Sequence, residues 1–297
     1  MVLGLAFRRI GWIDEAFASK LNQFVFRVPL PLLVFEDLAT VDFSQIWNVK
    51  FVLFCFVATL LSILLCAGIS MLWKDRAIRG EFIQASYRSS AALLGIAFIQ
   101  NIYGSAGMGP LMIIGSVPLY NMMAVVVLSV FRPGQQGLDK TVVKRTMTGI
   151  VTNPIILGIV AGLLWSALGL PLSGIPGKTI RNIASMATPL GLMAMGASFD
   201  IQKAVQKGRP AIVASVMKLV GFCVIFLPVA IAFGFREEEL VAILVMLGSA
   251  TTVSCYVMAR NMGHEGVLTS STVMLTTLFS AFTLTGWLFL LRSAGLI

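Results

Sequence analysis

The stretch SATTVSCYVMARNMGHEG, Ser249–Gly266, lies in an apolar run yet places Ser249, Thr251, Thr252, Ser254 and Tyr256 where leucines would suit lipid better. An earlier stretch resembles it. Residues 90–107 read SAALLGIAFIQNIYGSAG, and a shift of 159 lays Ser90 on Ser249, Ala91 on Ala250, Gly104 on Gly263 and Gly107 on Gly266. Upstream, VPLPLLVF (28–35) matches TPLGLMAM (188–195) at nearly the same shift. Two matches, in one order and at one offset, point to an internal repeat.

Both copies sit in a chain built for lipid. Of 297 residues, 58% are hydrophobic and 12% charged, and mean hydropathy is +0.92. A soluble domain carries about 25% charged residues. The charge-free runs are long: 23 residues from Phe51, 43 from Ser89, 32 from Thr146, 20 from Leu240 and 26 from Gly266. A helix needs about 20 apolar residues to cross the hydrocarbon core. We therefore read an all-α polytopic membrane protein. Its spans are 21–38, 50–73, 82–103, 108–131, 147–169, 181–199, 210–234, 239–261 and 267–291, after a stub over 1–10. The 43-residue run divides at the turn Gly104-Ser105-Ala106-Gly107. The stub reads as the end of a truncated first helix, which when complete would make ten spans. MVLGLAFRRI is too short an apolar stretch for a cleaved signal peptide.

Orientation follows from Lys and Arg. One alternate set of loops holds 14 of them and the other holds 5, which makes the richer set cytoplasmic. Lys74, Arg76 and Arg79 lie on that side, and Glu36, Asp37 and Asp42 fall outside. The net charge of +9 is thus a topology signal and not a nucleic-acid-binding face. Cys55, Cys66, Cys223 and Cys255 all fall in spans without metal-like spacing, so they read as buried thiols, and no metal or cofactor is expected.

Five spans in each repeat, residues 1–135 and 140–297, turn the second copy upside down. Inverted repeats of this kind carry binding sites near the membrane midplane on discontinuous helices. On that reading the two Ser-rich stretches are facing breaks in two discontinuous helices. Candidate binding residues are Arg88, Ser89, Ser90, Ala91 and Gly95 in one copy, and Ser249, Thr251, Thr252, Ser254 and Tyr256 in the other. Hydroxyls in membrane helices commonly bond backbone or neighbouring helices, and the repeat is what favours a site. Pro29, Pro31 and Pro189 interrupt the partner spans, or simply kink them. Lys218 lies well inside its span, where an ionisable group is a functional candidate or has its amine turned to a carbonyl. For Arg88, pairing with a carboxylate and snorkelling to headgroups weigh evenly. Asn153 before Pro154 suits a helix cap, Gly158 and Gly162 suit close helix packing, and His264 suits a solvated turn.

Several segments resemble the auxin efflux carrier family, whose bacterial members include malate and malonate permeases. They are RRIGWIDEAFASKLNQFVFRVPLPLLVFEDLA, SVPLYNMMAVVVLS (116–129), VTNPIILGIVAGLL (151–164), ATPLGLMAMGASFD (187–200) and VSCYVMARNMG with LTTLFSAFTLTGW. The resemblance covers nearly the whole chain. It implies ten helices in two inverted five-helix repeats, a crossing of the fourth and ninth helices, and a site beside that crossing for small organic anions. The chain departs from the family at Ser90, where many relatives have Asn, and at Ala97 and Ala250, where many have Pro.

The expected function is secondary transport of small organic anions across the cytoplasmic (inner) membrane. A sodium-coupled bile-acid-type transporter and a membrane ligand sensor are the alternatives. An intramembrane enzyme finds no support, because there is no HExxH motif and His264 is the sole histidine. Coupling to protons or sodium and assembly as a homodimer stay open. No carboxylate is expected near the middle of a span.

Overall fold

The computed structural model describes residues 1–40, 48–105, 107–134 and 147–297. The boundary expected between the repeats falls outside these residues, as do Asp42 and Ala106. The chain forms α1 (Val2–Arg9), α2 (Glu15–Arg27), α3 (Pro29–Ala39), α4 (Val49–Ser70), α5 (Arg76–Tyr87), α6 (Ile96–Tyr103) and α7 (Gly109–Val130). It continues through α8 (Pro154–Ala167), α9 (Gly174–Ser185), α10 (Ala187–Ala197), α11 (Ile201–Gln206) and α12 (Gly208–Val216). The last elements are α13 (Phe222–Ala232), α14 (Glu237–Gly248), α15 (Ser254–Asn261) and α16 (Val267–Ser293). Single π-helical turns, Ala91–Gly95 and Met217–Gly221, lead into α6 and α13. The protein is an all-α polytopic membrane protein. Among the described residues, four helical stretches are long and apolar enough to cross a membrane: α4, α7, α12 through α13, and α16. They leave leucines and phenylalanines outward, such as Leu53, Leu64, Phe279 and Phe282, as lipid contact requires.

Shorter helices make up the other spans in pairs, and the sequence explains each break. Pro29 lacks an N–H, so Val28 leaves helical geometry (φ −124°, ψ −72°) and α2 passes into α3 through a kink. Between α9 and α10 the junction residue Met186 keeps helical geometry (φ −73°, ψ −17°), ahead of Pro189.

The two deeper breaks separate α5 from α6 and α14 from α15. Arg88 (ψ 116°) and Ser249 (ψ 163°) both turn extended. Backbone in the hydrocarbon core must find partners within the protein. Here the two extended segments pair with each other, Ser89 forming an antiparallel bridge to Thr251 and Ser90 N–H donating to Ala250 O at 3.0 Å.

Close approaches elsewhere rest on glycine. A Cβ on Gly158 would stand 2.6 Å from Pro31 O, and one on Gly162 would stand 2.8 Å from Phe35 O, so α8 lies directly against α3. Asn153 caps α8 by accepting from Ile155 N–H at 2.9 Å. All four cysteines are buried and free.

Candidate functional site

The hydroxyls of the opening stretch first serve the broken helices. Ends of α5 and α14 leave carbonyls with no partner further along the chain. Thr251 Oγ1 donates to Ala85 O at 2.8 Å, and Tyr120 OH donates to Met246 O at 3.2 Å. Ser89 Oγ also donates to Met246 O. Thr251 N–H donates in turn to Thr276 Oγ1 at 3.0 Å. Lys218 completes the arrangement. Its side chain is 0% exposed, and its amine donates to Leu247 O at 2.7 Å, to Tyr87 O at 3.4 Å and to Ser89 Oγ. An ammonium at the C-terminal ends of two helices also meets the negative ends of their dipoles.

The N-terminal ends of the following helices face elsewhere. Ser90, Ala91 and Ala92 at the start of the first continuation, and Thr252 and Ser254 at the start of α15, line one cavity. Its empty volume is about 430 Å³, part of it open to solvent. Neither helix start carries a side-chain cap. Uncapped helix N-termini favour anions. Arg88 lines the same cavity and is 3% exposed. It does not snorkel to headgroups; its guanidinium donates to Asn121 Oδ1 and to Met258 Sδ at 2.6 Å, both uncharged. Leu30, Leu33 and Val34 of α3 and Val117 of α7 give the wall its apolar part, and Tyr120, Asn121 and Asp37 add polar groups.

A family model described as membrane transport protein matches residues 1–288. The chain belongs to this family of membrane transporters. It is the auxin efflux carrier-like family that the sequence resembles. The transporter is also 22% identical over 297 residues to an "uncharacterized transporter" of Methanothermobacter thermautotrophicus, across 97% of this chain and 93% of that one. It is therefore a multi-pass membrane transport protein.

Six of the residues singled out in the sequence meet at the cavity of this transporter: Arg88, Ser89, Ser90, Ala91, Thr252 and Ser254. The others lie apart from it. Gly95 packs beside Met112, where a Cβ would come within 3.0 Å of its methyl group. Ser249 is buried and its Oγ has no hydrogen-bond partner among the described residues, and Thr251 is spent on backbone. Lys218 holds carbonyls behind Ser89. Pro29, Pro31 and Pro189 shape helices, the second of them with its carbonyl against Gly158. Tyr256 lines a separate polar cavity of about 550 Å³ empty volume with Asn22, Arg27, Ser198 and Arg260.

Sequence reasoning missed three groups. Asp37 was expected in an outer acidic turn, yet it sits in the last turns of α3 and lines the cavity, a carboxylate within a span. Hydropathy could not show this, because it falls at Glu36 and Asp37 although α3 runs on to Ala39. His264 was expected in solvent but is 3% exposed, with Nε2 2.9 Å from Leu128 O and Nδ1 3.3 Å from Ala77 O. Glu81, not among the candidate residues, is 4% exposed. It accepts from Gly266 N–H at 2.9 Å and from Thr269 Oγ1 at 2.7 Å, which caps the start of α16.

Proposed function

We propose that the chain is a secondary transporter of small organic anions, malate- or malonate-like carboxylates, working by alternating access in the cytoplasmic membrane. The observation that carries this reading is Arg88: a buried guanidinium without a carboxylate partner among the described residues, on the wall of a cavity that two uncapped helix starts also line. A fixed buried cation anchored by neutral groups suits an anion that comes and goes. Small hydroxyls at Ser90, Thr252 and Ser254 leave room for such an anion and offer it hydrogen bonds. The two inverted five-helix repeats, 1–135 and 140–297, are part of the same proposal. Their support is the sequence offset and the extended breaks at Arg88 and Ser249, one in each proposed half. In this scheme one group of helices rocks against the other around the crossing.

The test is counterflow of labelled malate into proteoliposomes, with unlabelled malonate, citrate, lactate and indole acetate as competitors. The expected result is transient accumulation that a competing acid suppresses. No accumulation of malate by correctly inserted protein, nor of the other acids when each is labelled in turn, would reject an organic-anion carrier.

A further inference from the structure

Asp37 is the one carboxylate on the cavity wall. No hydrogen bond or ion pair of its own is found among the described residues, whose ion pairs are Arg181 with Glu36 at 3.7 Å and Lys207 with Glu265 at 2.7 Å. Arg88 shares the cavity but is tied to Asn121 and Met258. So an acid and a cation stand in one small chamber, both on its wall and neither paired with the other.

This arrangement has a consequence when an anion enters. Two negative groups in one poorly solvated site cannot both keep their charge cheaply, as paired carboxylates elsewhere show. The anion can approach Arg88 and the helix starts with little penalty only if Asp37 becomes neutral. Binding linkage is reciprocal, so a proton on Asp37 also strengthens anion binding. Resting on the organic-anion reading above, we infer that Asp37 is the coupling group of the transporter, taking up a proton as the anion binds and releasing it when the anion leaves.

The surroundings of Asp37 are compatible with that role. From its own helix, Glu36 is adjacent, and its carboxylate is engaged by Arg181 of α9. From α7 comes Tyr120, and from the break comes Arg88, with Lys218 behind Ser89 and turned onto carbonyls. Helices α8 and α10, also packed on α3, have no titratable side chain, and Arg27 of α2 lies ten positions back, about 15 Å along a helix. Thr40, three residues beyond Asp37, is exposed, which leaves the proton a short way to the outer water. The balance is simple. One O–H bond forms on Asp37 Oδ with a proton from solvent, and the same bond breaks on release, with no other reactant.

The test uses the full chain in detergent, with malonate as the probe. Bound malonate is measured by equilibrium dialysis and proton uptake by a pH dye in weakly buffered solution. The wild type is expected to take up about one proton per bound malonate. The variant Asp37→Asn is expected to bind malonate without that uptake, and Asp37→Glu to restore it. Malonate binding by the wild type without proton uptake overturns the inference and leaves the anion reading standing. Uptake that persists in Asp37→Asn also overturns it, since the proton then travels on the acid or another group. Should Asp37→Asn fail to bind malonate, Asp37→Glu decides: binding with proton uptake supports the assignment, and no binding overturns it. A wild type that binds none of malonate, malate, citrate or lactate rejects the anion reading and this inference with it.

Discussion

At the scale of single residues, the cavity divides neighbours by task. Thr251 and Thr252 are adjacent, yet one hydroxyl holds Ala85 O while the other faces the cavity 3.1 Å from Ser254 Oγ. Replacing Ser90 or Thr252 by Leu is expected to abolish counterflow while leaving the purified protein monodisperse. Normal uptake by both variants would remove these residues from the site. Lys218→Met makes a different prediction. It leaves Leu247 O and Ser89 without their charged donor, at a cost of about 1 to 3 kcal/mol, and thermal unfolding in detergent should shift down accordingly. An unchanged midpoint would show that the ammonium stabilises nothing. Little of this division was legible in the sequence. The repeat drew attention to both clusters, but which hydroxyl caps backbone depends on helix ends more than 150 positions away. His264 misled for a related reason: its chain neighbours are Gly263 and Glu265, while its hydrogen-bond partners come from α7 and the start of α5.

At the scale of elements, hydropathy placed the spans because lipid demands about 20 apolar residues, a constraint local to the chain. The kink at Val28 was legible through Pro29. The π-helical turns were not, since nothing in AALLG or MKLVG marks them. Contact between α3 and α8 depends on Gly158, and the GxxxG spacing did announce it. Gly158→Val is expected to displace α8 and cost about 1 to 3 kcal/mol, seen as a loss of folded yield. Gly286→Ala on α16, with open space around it, is the control that should fold as the wild type does. Glu81→Gln removes the charge that faces the start of α16. It should lower the unfolding midpoint by about the 0.3 to 1 kcal/mol of a helix-end charge, or more given its burial. No change would mean that a neutral acceptor caps the helix equally well.

For the molecule as a whole, the charge bias of the loops predicts a handedness across the bilayer. Because Cys55, Cys66, Cys223 and Cys255 are all buried, they form a silent background for labelling. Ser105→Cys is expected to react with an impermeant maleimide added outside intact cells, and Gln202→Cys only after the cells are opened. The reverse pattern would invert the topology. The path of the chain across the membrane was readable at this scale. The location of the cavity was not, because it forms where Leu30 and Val34 of one apolar cluster meet Val117 and Tyr120 of another.

The mutual pairing of Ser90 with Ala250 also bears on how the protein is made. The two partners lie 250 − 90 = 160 residues apart, and ribosomes add about 5 to 20 residues per second. For roughly 8 to 30 s after Ser90 is synthesised, its segment has no Ala250 to accept its N–H. A half-finished chain therefore holds an interrupted helix that lipid alone cannot satisfy. The insertion machinery must shelter that segment in a wet or protein-lined place until α14 and Ala250 arrive. Biogenesis of this transporter thus waits on its C-terminal third, and a ribosome stalled before Ala250 leaves a product marked for quality control by its own unpaired backbone.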